Sequence, residues 1–249
     1  MPFANAVALI TGAASGIGAA TATLLAARGA RKLILCDLDE GKLADFAFSL
    51  PCERQLLVGD VGDEALWADA DLTGLTHALV NAGIGHAAPI ADLGLAEWRR
   101  VMAANLDGAF LTLKAAMAAI RGEGSIVITA SAAGLKAEPG IAAYAASKAA
   151  VIQLARVAAK EGAPSIRVNA IAPGGVETPI WSAQPFFAAM VEKAGGEEAA
   201  AYHQLAGSGT PLGRFAKPEE IAAQIVFLLS NEAAYMTGAC LVSDGGYSI

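Results

Sequence analysis

Charge is scarce in this 249-residue sequence: 16% of residues are Asp, Glu, Lys or Arg, against 55% hydrophobic. That balance excludes a disordered chain, which would have too much apolar surface to leave in water. Cysteine is scarce too. Cys36, Cys52 and Cys240 form no Cys-x-x-Cys pair and are odd in number, so they frame neither a disulfide scaffold nor a structural zinc site. They read as reduced packing residues, and no metal centre is expected. Lys and Arg number 17 against 24 Asp and Glu, a net charge of −7 that leaves no positive footprint for nucleic acid or anionic lipid. Long apolar runs are missing as well. The best candidate, Ile221 to Leu229, stops at Ser230-Asn231-Glu232, short of the roughly 18 residues a membrane-crossing helix needs. No basic residue precedes Arg28, and the first apolar stretch runs into Thr11-Gly12 rather than a small-residue cleavage site, so no secretory leader is expected. The expected location is the cytoplasm and the expected partner a small molecule.

What the sequence has in quantity is short apolar runs. Val7–Ile10, Leu33–Leu35, Leu56–Val58, Ala78–Val80, Ile126–Ile128, Val168–Ile171 and Cys240–Val242 recur with mostly helix-like segments between them. Their continuous apolarity, without period-two alternation, suits parallel strands covered on both faces by helices. Alanine, about a quarter of the residues, concentrates in the intervening segments, where it favours helix and close packing. A helix start is visible at Pro218-Glu219-Glu220, with proline at a first position and acids facing the positive helix end. No Pro/Ser-rich linker or charge block divides the chain, so residues 1–249 read as one α/β domain with about seven strands.

Behind the first strand stands Thr11-Gly12-Ala13-Ala14-Ser15-Gly16-Ile17-Gly18, then a helical stretch to Arg28. Glycines in a strand-turn-helix context let the backbone turn sharply and approach a pyrophosphate, while the helix N-terminus supplies unpaired N–H groups. The second strand ends at Asp37, 19 residues beyond Gly18, where a carboxylate can accept hydrogen bonds from both hydroxyls of an adenosine ribose. A 2′-phosphate would meet that carboxylate as a like charge, and Ala14, Ser15 and Leu38 offer no compensating cation. The expected cofactor is therefore NAD rather than NADP. A cap on the Asp39-Glu40 turn is the other reading of Asp37.

Tyr144 and Lys148, in Tyr-Ala-Ala-Ser-Lys, stand four apart, on one face of a helix one turn from each other. A nearby cation favours phenolate and so lowers a tyrosine pKa toward working pH, which makes the phenol a usable general acid or base.

With the glycine turn and Asp37, these residues resemble the short-chain dehydrogenase/reductase family in its short, non-extended branch, over essentially the whole chain. The resemblance implies a Rossmann-type doubly wound parallel sheet. It implies that Gly12, Ser15, Gly16, Ile17 and Gly18 hold the cofactor phosphates, that Asp60 and Val61 contact the adenine, and that Asn81-Ala82-Gly83 stabilises the central sheet beside the cofactor. Asn105, Ser131, Tyr144 and Lys148 match the family's tetrad. By that resemblance Tyr144 exchanges a proton with the substrate oxygen and Ser131 hydrogen-bonds the same oxygen. Lys148 holds the nicotinamide ribose and lowers the tyrosine pKa, and Asn105 positions a relay water. Pro173-Gly174-Gly175-Val176-Glu177-Thr178 resembles the segment that meets the carboxamide through the Val176 backbone and the Thr178 hydroxyl. Relatives commonly form homotetramers, and that assembly is expected here.

The resemblance also places a substrate lid at about 179–210. It contains Trp181, Phe186 and Phe187, which suggest a hydrophobic, aromatic or cyclic substrate, or else pack against the body or a neighbouring subunit. His86, Ala133 and Glu138 lie near the expected pocket. The segment from Asp60 to Asn81 is short for the family, so an abbreviated or irregular helix is expected after the third strand. The leading expectation is an NAD-dependent oxidoreductase acting on CH–OH groups and interconverting a secondary alcohol and a ketone. A 3-oxoacyl-thioester reductase, which would favour NADP and basic residues for an acyl carrier, and a catalytically silent NAD-binding scaffold are the alternatives.

Overall fold

The computed structural model describes residues 3–207 and 209–249; residues 1 and 2 of the expected domain and Ser208 of the expected lid lie outside the described residues. Each apolar run becomes a strand. In chain order these are β1 (Val7–Thr11), α1 (Gly16–Ala27), β2 (Lys32–Asp37), α2 (Glu40–Phe48), β3 (Glu53–Val58), α3 (Glu64–Ala68) and β4 (His77–Val80). Then come α4 (Leu95–Met102), a π-helical turn (Ala103–Asp107), α5 (Gly108–Ala119), β5 (Gly124–Thr129), a 3₁₀ turn (Ala132–Gly134), α6 (Ala142–Gly162) and β6 (Ile166–Pro173). The chain closes with α7 (Pro185–Lys193), α8 (Glu198–Gly207), α9 (Pro218–Leu229), a 3₁₀ turn (Asn231–Ala233) and β7 (Cys240–Ser243).

All seven strands form one parallel sheet in the order β3-β2-β1-β4-β5-β6-β7. Strand order reverses between β1 and β4, which opens a crevice at their carboxyl ends, the place where such sheets bind ligands. The central strands are buried on both faces, and β1 is inaccessible along its whole length. Edge strand β3 alternates partly buried and exposed residues, having only one neighbour. One core layer joins the sheet to α5 and α6 through Leu113, Ala116, Ile152 and Ala155; the other joins it to α1, α2 and α9 through Leu25, Leu43, Ile221 and Ile225.

The shortened segment after β3 yields a five-residue helix, α3, with no buried residue, opened by the Asp63 carboxylate accepting from the Ala65 N–H at 2.9 Å. Proline stands at the first position of α9, as its sequence suggests. No helix among the described residues is long and apolar enough to cross a membrane.

Candidate active site

The glycine turn leaves β1 with Gly12 at φ +65° and Gly16 at φ +53°. Three close approaches explain its glycines. A Cβ on Gly12 would lie 3.0 Å from Asn81 Nδ2, one on Gly16 3.0 Å from Thr178 Cγ2, and one on Gly18 2.0 Å from the Gly12 carbonyl oxygen. The last pins the start of α1 against the turn. Ser15, at the N-cap of α1, makes no side-chain capping bond, so the first N–H groups of α1 are left for another acceptor. A cradle of bare backbone, closed to any Cβ and ending at an uncapped helix, fits a pyrophosphate.

Asp37 performs more than one task. Its Oδ2 accepts from the Ala14 N–H at 2.9 Å, tying the end of β2 to the glycine turn, and its Oδ1 accepts from the Asp39 N–H at 3.1 Å. The turn-capping role is thus real, and it coexists with a carboxylate at the edge of the cradle. Lys42 feels Asp37 but is paired with Asp39 at 2.7 Å. Asp60 closes its own turn by accepting from the Gly62 N–H at 2.8 Å, and the carbonyl of buried Val61 accepts from Trp67 Nε1 at 2.9 Å.

Asn81 stitches three strands together. Its N–H and that of Ala82 donate to Thr11 Oγ1, its Nδ2 donates to the Thr11 carbonyl at 3.1 Å, and its Oδ1 accepts from Thr129 Oγ1 at 3.1 Å. Gly83 follows, and a Cβ there would lie 3.0 Å from Asn105 Oδ1 and 3.5 Å from Lys148 Nζ. The turn beyond β4 therefore presses directly on two of the four tetrad residues.

The other two stand close by. Ser131 caps the 3₁₀ turn after β5, accepting from the Ala133 N–H at 3.2 Å, and it hydrogen-bonds Tyr144. Tyr144 and Lys148 share the first turns of α6, with Lys148 Nζ 5.7 Å from the tyrosine ring centroid and donating to the Thr129 carbonyl at 2.9 Å. A Cβ on Gly134 would lie 2.7 Å from the Lys148 carbonyl carbon, so the Ser131 turn lies flat on α6.

The electrostatics differ from the simple cation argument. Burial pushes the Tyr144 phenol above its usual 10, with the Ser131 hydrogen bond opposing, and the same burial pulls Lys148 from 10.5 down to about 8. Desolvation sets both directions, since Lys148 is itself 4% exposed and its charged form is disfavoured there.

Asn105 sits on the π-helical turn between α4 and α5, and such turns recur at functional sites. Its side chain is fully committed: Oδ1 accepts from the Ile84 N–H at 2.8 Å, while Nδ2 donates to the Ile84 carbonyl at 3.0 Å and to Ser147 Oγ at 3.1 Å. Any relay water is left to its backbone carbonyl.

Farther out, Gly174 packs on Asp244, and its N–H donates to the Ser243 carbonyl at 3.0 Å beyond Pro173. Val176 is buried and its carbonyl accepts from Trp181 Nε1 at 2.9 Å; the Thr178 carbonyl accepts from the Tyr202 hydroxyl at 3.2 Å. The expected lid is two helices, α7 and α8, with a small core of their own. Phe187, expected to face substrate, is 1% exposed and stacked against Tyr202 at 4.8 Å, so it fills that core instead. Trp181 lies 5.2 Å from Phe215, and Phe186 stays 42% exposed. His86 faces Glu97 at 3.5 Å, and Glu138 faces Lys136 at 3.9 Å. Ala133 is half-buried on the Ser131 turn.

Three neighbours of the site carried no sequence signal. Gln184, 8% exposed, covers Gly85, where a Cβ would lie 2.9 Å from its Nε2; Ser147 supports Asn105; and Tyr247 packs against Lys136.

Comparison with known proteins agrees with this geometry. A family model described as Enoyl-(Acyl carrier protein) reductase matches residues 12–248. The chain is 38% identical to a cis-4-hydroxycyclohexanecarboxylate dehydrogenase of Sinomonas cyclohexanicum, covering 99% of this chain and 98% of that protein. A solved structure of a Brucella melitensis short-chain dehydrogenase/reductase, a glucose/ribitol dehydrogenase by its description, superimposes with TM-score 0.87 at 34% identity, covering 100% of this chain and 98% of that one. The chain belongs to the short-chain dehydrogenase/reductase family. A 3-oxoacyl-[acyl-carrier-protein] reductase of Thermotoga maritima is 39% identical over 98% of each chain, so the family resemblance spans several substrates. The shared chemistry is oxidoreduction at a CH–OH carbon with a nicotinamide cofactor.

Proposed function

We propose that this short-chain dehydrogenase interconverts a ring-borne secondary alcohol and its ketone, with NAD as cofactor. The observation that carries the reading is the meeting of Ser131, Tyr144 and Lys148 at the carboxyl end of β5, beside the bare glycine cradle. NAD is supported by the Asp37 carboxylate at the cradle edge and by the pairing of Lys42 with Asp39. The ring-borne substrate is supported by the hydroxycyclohexanecarboxylate dehydrogenase among the relatives.

When bound, the nicotinamide ring supplies the hydride acceptor at C4 for oxidation and the donor for reduction. The residues supply everything else. In oxidation Tyr144 passes its own proton to the relay at Lys148 and takes the hydroxyl proton, while the carbon-bound hydrogen leaves with its electron pair; in reduction the phenol gives its proton to the ketone oxygen and is reprotonated through the same relay. Ser131 accepts from the Ala133 N–H, and the O–H that it directs at Tyr144 would turn to the substrate oxygen. Lys148 spends one proton on the Thr129 carbonyl and keeps two for ribose hydroxyls and a relay water at the Asn105 carbonyl. From the expected lid Phe186, 42% exposed, is the ring left to meet a substrate, with His86, Ala133 and Glu138 as its proposed counterparts. Phe110 and Val157, 49% and 45% exposed on α5 and α6, support a homotetramer joined through those helices.

The test is an NADH-absorbance screen of cyclic alcohols, repeated with Tyr144→Phe. Turnover is expected for the wild type and a loss of about 10²- to 10⁴-fold in the variant with NADH binding retained. A variant of undiminished activity removes Tyr144 from the chemistry.

A further inference from the structure

The last residues, Ser243-Asp244-Gly245-Gly246-Tyr247-Ser248-Ile249, form no regular element beyond β7, yet they are held on two sides. Asp244 curls them: its Oδ1 accepts from the Gly246 N–H at 2.9 Å and its Oδ2 from the Ser248 N–H at 2.8 Å. Gly245 and Gly246 take φ of +63° and +88° and press on the segment that follows α8. A Cβ on the first would lie 2.7 Å from Thr210 Cγ2 and one on the second 2.9 Å from Pro211 Cγ, and the Leu212 N–H donates to the Gly245 carbonyl at 3.1 Å. That edge of the tail is anchored to the lid's return.

The other edge is anchored to the loop between Ser131 and Tyr144. Lys136 Nζ donates to the Tyr247 carbonyl at 2.7 Å and stands 4.2 Å over the centroid of its ring, a cation–π contact. The Tyr247 phenol hydrogen-bonds Glu138, and burial together with that carboxylate pushes its pKa up, so it stays a protonated donor. Lys136 and Glu138 themselves lie 3.9 Å apart. One aromatic ring thus joins the segment carrying both oxygen-binding residues to the end of the lid, and among the described residues its contacts are with Lys136, Glu138 and the lid's return rather than with the glycine cradle.

We propose that Tyr247, clamped by Lys136 and Glu138, is a specificity-determining residue whose ring forms the outer wall of the substrate pocket and fixes the lid to the catalytic loop. The proposal rests on the dehydrogenase reading. Tyr247 acts on substrate fit, so its removal should appear in KM and in the ranking of substrates, with cofactor affinity unchanged.

Wild type, Tyr247→Ala, Tyr247→Phe, Lys136→Met and Lys136→Arg are compared on unsubstituted and bulky ring alcohols, with NADH binding followed by fluorescence. Tyr247→Ala is expected to raise KM for compact alcohols about tenfold and to lose little on bulky ones, the scale of a missing apolar contact. Tyr247→Phe keeps the wall and should rank substrates as the wild type does; Lys136→Met should shift the ranking toward the alanine pattern and Lys136→Arg restore it. An unchanged ranking in Tyr247→Ala, or a fall in NADH affinity that parallels the loss of activity, overturns the proposal and leaves the dehydrogenase reading intact. A wild type that oxidises none of the panel removes the dehydrogenase reading. The wall is then judged by calorimetric binding of the same alcohols with NADH present, and variants that bind as the wild type does overturn it.

Discussion

Replacing Lys148 by methionine should make this protein more stable while abolishing its catalysis. Lys148 is 4% exposed, and burial alone depresses its pKa from 10.5 to about 8. The distance between those values is worth about 3 kcal/mol at roughly 1.4 kcal/mol per pH unit. The sign follows from proton counting: between pH 8 and 10.5 the unfolded chain binds more protons than the native one, so stability rises with pH through that window. Below pH 8 the whole cost of a buried ammonium is present. Methionine fills nearly the same volume without a charge but gives up the hydrogen bond to the Thr129 carbonyl, worth about 1 kcal/mol for a neutral donor. The net expectation at pH 7 is a gain of about 2 kcal/mol. Urea titrations of both proteins at pH 7 and pH 10 measure it, and the advantage of the variant should shrink at the higher pH as the wild-type lysine sheds its proton. A variant less stable than wild type at pH 7, or an advantage equal at both pH values, would refute the account of Lys148 as a destabilising buried cation.

Two further outcomes follow from the cradle and the lid. Asp37→Ser removes the carboxylate proposed to meet the adenosine ribose, and the NAD-to-NADP ratio of kcat/KM should fall by at least about tenfold, the scale of one lost charged contact. An unchanged ratio would leave Asp37 only its bonds to the Ala14 and Asp39 N–H groups. Phe187→Ala empties the centre of the α7–α8 cluster, a large-to-small change that costs about 3–5 kcal/mol in a packed core. Because that cluster is separate from the two sheet cores, hydrogen exchange should accelerate across α8 and stay unchanged in β4 and β5. Equal acceleration in all three would mean the lid shares the stability of the sheet.

The fold was legible because burial on both sheet faces writes itself into the central strands: Leu33–Leu35 and Ile126–Ile128 are apolar throughout, and each became part of a strand. The tetrad and the glycine turn were legible for a different reason, since chemistry and steric closure tolerate few residue types at those places. Strand ends were less so. β3 opens with Glu53-Arg54-Gln55 and β6 carries Arg167 between Ile166 and Val168, polar residues that still pair through the backbone and leave no hydropathy signal. The commitment of the Asn105 side chain to Ile84 and Ser147 could not be read either, because these partners are distant in sequence and the π-helical turn that brings them together has no motif. Tyr247 and Gln184 were invisible on the same ground: a single tyrosine or glutamine in a loop acquires meaning only from what folds against it.

The lid shows how far composition alone can be carried toward a substrate. Its aromatic content argues for an apolar ligand only if the rings face the pocket, and most do not. Phe187 and Tyr202 are buried against each other, and Trp181 leans on Phe215, so these rings hold the lid together. What the proposed pocket leaves to a substrate is mixed: the exposed Phe186 ring on the apolar side, against the His86–Glu97 pair and the Lys136–Glu138–Tyr247 clamp. On the proposed function, a ring that carries a second polar substituent besides the reacting hydroxyl would meet both kinds of group.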